Sequence, residues 1–157
     1  INPSDDSDES LIYSLGQKAK TVFEELIIDK NRISQYELVT SETFTSYGEC
    51  QFSFVKSING FNTNDTLSIA IDRDGKIKSY TGNRQGIFDN LTVNVDMVDI
   101  EKFIDEKVNS RYKNQPVKYN VNSMTIDKKK NKFFIRCFVS VETEEHITGD
   151  EYEYRLK

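Results

Sequence analysis

Residues Glu49 to Gly82, ECQFSFVKSINGFNTNDTLSIAIDRDGKIKSYTG, carry the clearest pattern in the chain. Cys50, Phe52 and Phe54 alternate with Gln51 and Ser53, so an extended segment here has one apolar and one polar face. Leu67, Ile69 and Ile71 repeat the alternation against Ser68 and Ala70. Asn59-Gly60 supplies a loop between the two runs, and Asp74-Gly75 a tight turn after them. Gly takes positive φ freely and Asn and Asp tolerate it, which is what such turns require. Ile77 and Tyr80 then belong to a returning strand. The pattern predicts an antiparallel sheet covered on one side and wetter on the other.

Working outward, Leu11, Leu15, Ala19, Val22, Phe23 and Leu26 recur at spacings of three and four. That periodicity predicts an amphipathic helix starting at an N-cap on Ser10 and stopping near Ile28 to Asn31. Gly16 costs such a helix about 1 kcal/mol relative to Ala, a cost that close packing against a neighbour would offset. Downstream, a short strand is expected at Leu91, Val93 and Val95. Asp96 caps a second helix, with Asp99 three residues on and a stripe through Ile100, Phe103, Ile104, Val108 and Tyr112. Three more strand patterns follow, at Tyr119/Val121, at Phe133 to Val141 and at Tyr152 to Leu156, the first two parted by a turn over Asp127 to Asn131.

The two halves can be laid over each other. At an offset of about 83, Tyr36 meets Tyr119, Phe52 meets Ile135 and Ile69 meets Tyr152. The expected fold class is therefore α+β, built of two helix-plus-antiparallel-meander units, each with a helix on one face of a three- to four-stranded sheet. The expected boundaries are an acidic flexible linker over 1–10, a first unit over 11–82, a connector over 83–95 and a second, divergent unit over 96–157.

Composition narrows the chemistry. The 157 residues carry a net charge of −5, the wrong sign for a phosphate-backbone footprint, so no nucleic-acid partner is expected. No apolar run approaches the roughly 20 residues of a membrane span. The opening INPSDDSDES is polar and acidic, as the segment following a removed export signal would be. Secretion or attachment to the cell envelope, with a lipid anchor ahead of Ile1, is the corresponding expectation. Cys50 and Cys137 both lie in strand patterns and read as buried thiols, with a disulfide between them open only if the two strands are close neighbours. His146, the single histidine, sits in a loop-like run beside Glu145 and offers no two-histidine metal pair. Asp72-Arg73-Asp74-Gly75 opens like a calcium loop, yet the twelfth position is Asn83 and not an acid. No metal, cofactor or catalytic residue is expected.

Within FSFVKSINGFNTNDTLSIAIDRDGKIKSYTG the chain resembles a PepSY-type domain: the aromatic strand with Phe52 and Phe54, Asn59-Gly60-Phe61, alternating Leu67/Ile69/Ile71, then Asp72, Asp74-Gly75, Lys76-Ile77 and Tyr80. The helical pattern at 11–28 sits where that family has its helix. The resemblance implies a PepSY/cystatin-like layout and a non-catalytic, exported bacterial protein. It also implies a peptidase-inhibitory or regulatory role toward a secreted or envelope protein such as a peptidase. Asn59, Gly60 and Phe61 are the candidate protein-binding residues, because Phe61, an apolar side chain on a polar loop, is either tucked under the sheet or offered to a partner. The competing reading is a structural envelope domain with no dedicated client.

Overall fold

The computed structural model describes residues 3–27, 30–41, 43–84 and 86–157. Its elements are α1 (Pro3–Leu26), a short 3-10 helix (Lys30–Gln35), β1 (Tyr36–Thr40), β2 (Glu49–Ile58), β3 (Phe61–Asp72), β4 (Ile77–Asn83), α2 (Met97–Arg111), β5 (Lys118–Lys129), β6 (Lys132–Glu142) and β7 (Ile147–Arg155).

The two expected meander units are not what the strands form. They make one seven-stranded mixed sheet in the order β1-β2-β3-β5-β6-β7, with β4 pairing β3 off that path. The decisive contact is a parallel pairing of Asn62 with Thr125 and Thr63 with Ile126. The physical reason is the length of β3. Its later residues, Thr66 to Ile71, pair with β4, which leaves its first residues with edge hydrogen-bonding groups that β5 satisfies. A period-two pattern reports which face is apolar and carries no information about which strand lies alongside.

Two compact units are nevertheless distinguishable, Ile1–Ser57 with Asn64–Phe88, and Ile58–Thr63 with Asp89–Lys157. Their limits differ from the expected 11–82 and 96–157, because the second unit takes residues 58–63 from the middle of the first stretch.

In the first unit α1 contributes Ile12, Leu15, Ala19 and Phe23 to a core shared with Cys50, Phe52, Phe54, Leu67, Ile69 and Ile71. Phe23 stacks on Phe54 with ring centroids 4.2 Å apart and meets Tyr36 edge-on at 5.2 Å. Gly16 permits close approach, since a Cβ there would stand 3.4 Å from the Phe52 ring. Two details differ from the sequence reading. Leu26 is exposed while Ile12 and Ile27 are buried, so the stripe runs one position round from the expected one. The helix also starts at Pro3 rather than at Ser10, replacing much of the expected linker. Proline is tolerated at a first helical position, and Asp8 is held by Arg73 of the same unit. Ile1, Asn2, Ile28 and Asp29 lie outside the described residues.

In the second unit Asp96 caps α2 as expected, its carboxylate accepting from Val98 N at 2.9 Å. Ile100, Ile104 and Val108 are buried, and Phe103 packs edge-on against Tyr154 at 5.2 Å. Along β6, Ile135, Cys137, Val139 and Val141 are buried in strict alternation. Leu91 to Val95 is irregular rather than a strand, although Val93 is buried.

Candidate functional site

The wet side of the first unit's strands carries an open concavity. Glu49 and Gln51 come from β2, Thr66, Ser68 and Ala70 from β3, and Ser79, Thr81 and Asn83 from β4. Together they line a groove of about 370 Å³. Strand periodicity places them there: the alternate positions Cys50, Phe52, Leu67, Ile69 and Ile71 go to the core. The register pairs Thr66 with Asn83, Ser68 with Thr81 and Ala70 with Ser79, which sets short polar side chains in rows across β3 and β4. Ser53 and Ser68 hydroxyls lie 2.9 Å apart on the same face. Glu49 is the single charged residue of the lining. Hydroxyl and amide groups both donate and accept, so the groove suits a polar partner with mixed donors and acceptors.

The candidate residues from the sequence reading lie elsewhere. Asn59 and Gly60 have φ of 49° and 83°, as a two-residue hairpin loop with positive φ at both positions requires. Both are exposed, but the Asn59 amide donates to the carbonyl of Val93. Phe61 is only 9% exposed and counts among the core residues. Its ring is therefore packed inward rather than standing on the loop surface, and residues 58–63 belong to the second unit. The alternation begun by Phe61 continues through the buried Thr63 and Asp65, which is the signal that points the ring inward. The Asp72 to Gly75 turn is likewise structural: Asp72 Oδ1 accepts from Asp74 N at 3.0 Å and Lys76 N at 2.9 Å.

No protein-family model, curated protein or solved structure matches this chain. Function has to be argued from its own residues.

The second unit holds two polar clusters, both legible only with the fold in hand. Asp150 is buried and its Oδ2 accepts from Tyr112 at 2.8 Å and Tyr152 at 3.1 Å. Its Oδ1 has no hydrogen bond and stands 3.5 Å from Arg111. Burial first, then the Asp150 carboxylate, pushes Tyr152 up to about 12 and Tyr112 in the same direction. These phenols stay protonated and fasten the C-terminal end of α2 to β7. Asp150 shares the parity of Tyr152 and Tyr154 along β7, which puts it inward.

On the other side of those strands, Arg136 lies 2.9 Å from Glu151, 3.3 Å from Asp127 and 3.8 Å from Glu153. The guanidinium fills the place a cation would take among these acids. Among the described residues no group of three or more His, Cys, Asp and Glu is placed to hold a metal. His146 is exposed at a turn closed by Thr143, while Cys50 and Cys137 are buried free thiols. No helix of the described residues is long and apolar enough to cross a membrane.

Proposed function

We propose that this chain is a non-catalytic binding module, exported and held at the bacterial cell envelope, whose first-unit groove engages another protein such as a peptidase. The observation that supports this reading is the groove itself. Eight residues from three strands form an open polar surface of about 370 Å³ on a face the helix leaves uncovered. Residues 11–82, which resemble a PepSY-type domain, contain all of the lining but Asn83, and that family's association with peptidase regulation supplies the class of partner.

The test uses the purified chain as bait against secreted and envelope proteins of its own organism, alongside Gln51→Lys. Gln51 is exposed and lines the groove, so a long cationic side chain there obstructs the surface while leaving the core intact. The expected result is one peptidase captured by the native chain, slowed in turnover by it, and captured about tenfold less by the variant. Equal capture by both chains, or capture with no effect on turnover, overturns the corresponding part of the proposal.

A further inference from the structure

β4 pairs only with β3 among the described residues, so one long side of it is an open sheet edge. Sheet edges invite other chains, and proteins blunt them by shortness, by charge or by bulges. The outer strands of this chain differ in that respect. β1 has only five residues, Tyr36–Thr40. β7 bears exposed Glu151, Glu153 and Arg155. β4 is guarded at its start alone, by exposed Lys76 and by exposed Lys78, the residue skipped where the register shifts between Ala70 and Ile71. Beyond it, Ser79 to Asn83 is regular in register, uncharged and exposed at every position. The same stretch forms one wall of the groove through Ser79, Thr81 and Asn83.

We infer that the partner engages as an extended peptide segment added to the β4 edge over Ser79–Asn83, with an acidic residue set beside Lys78. This rests on the binding-module reading and adds the form of the ligand. An added strand hydrogen-bonds through its backbone, so affinity comes from the main chain and selectivity from alternate side chains. Those turned to the groove meet Ser79, Thr81 and Asn83. Lys76 and Lys78 bias the end beside them toward negative charge.

A phage-displayed library of random peptides, panned on the full chain, tests this. Enriched peptides are expected to carry Asp or Glu toward one end and to slow hydrogen exchange of the Ser79–Asn83 amides about tenfold or more. Panning on Lys78→Glu is expected to swap that acidic preference for Lys or Arg, and Thr81→Lys to reduce enrichment about tenfold. No enrichment, enriched peptides that leave those amides unprotected, or protection arising from a second copy of the chain each overturn the inference. If Gln51→Lys still weakens capture of the natural partner about tenfold while the β4 amides of the native chain exchange freely in the complex, the groove reading stands and only the edge is lost.

Discussion

Arg73 clasps the Asp8 carboxylate through two hydrogen bonds, Nη1 to Oδ1 at 2.7 Å and Nη2 to Oδ2 at 3.1 Å. The same guanidinium lies 4.1 Å from the centre of the Phe44 ring. A planar fork can serve both contacts at once, which an ammonium cannot. The hydrogen bond from Arg73, ahead of its charge, holds the Asp8 carboxyl below its ordinary range. An acid whose folded value is depressed adds stability above its unfolded value and loses it as pH falls through the folded one. The pair is open to solvent, so its effect should shrink with salt. In an NMR titration, Arg73→Ala and Arg73→Lys should both raise the Asp8 value, Arg73→Ala further. An unmoved titration would show that the clasp does not form in solution.

Tyr152 provides the alkaline counterpart. Its folded value, about 12 against an ordinary 10.0, is raised. Stability from this phenol is thus fully present below the unfolded value and lost as pH climbs toward the folded one. Ultraviolet titration should find a phenol ionising in that window, together with falling stability. Asp150→Asn should bring it only part of the way back, since burial outweighs the carboxylate as a cause. At neutral pH, Tyr152→Phe should cost about 1–3 kcal/mol, because it removes one of the two donors to a buried acid.

Phe61→Ala should act on stability rather than on binding. Burial of this ring predicts a loss of about 3 kcal/mol, read as a lower denaturant midpoint with unchanged slope. A variant that unfolds like the native chain but loses its partner would instead restore Phe61 as an anchor.

Cys50 and Cys137 should be inert in the folded chain. Burial raises both thiols, Cys137 to about 11, and removes them from reagents. Labelling by a soluble aromatic disulfide should run roughly a hundredfold or more faster in denaturant. Fast labelling of the native chain would contradict the observed burial.

Much of the local structure is readable from residue order. Alternation from Cys50 to Ile71 identifies the core face, and with it, by subtraction, the opposite, wetter face at Gln51, Ser53 and Ser68. Asp96 marks the start of α2 because its side chain answers an orphan helix N–H. What escapes is non-local. Nothing in the order of residues reveals that Thr63 pairs with Ile126, or that Arg73 reaches Asp8, since each depends on strands or turns meeting across long separations. Asp150 escapes for another reason: acids are rarely buried, and the two tyrosine donors that make it tolerable converge only in the folded chain.

The assignment of Ile58–Thr63 to the second unit bears on how this protein could be dissected or inherited. A fragment beginning at Asp89 would leave behind Phe61 and the Asn59 side chain that holds Val93. The reciprocal fragment would carry the six orphaned positions 58–63 with nothing to receive them. No single cut in the gene yields either half whole, because the two units meet at three places along the chain, after Ser57, Thr63 and Phe88. A cut at any one of them leaves both pieces without part of their own packing.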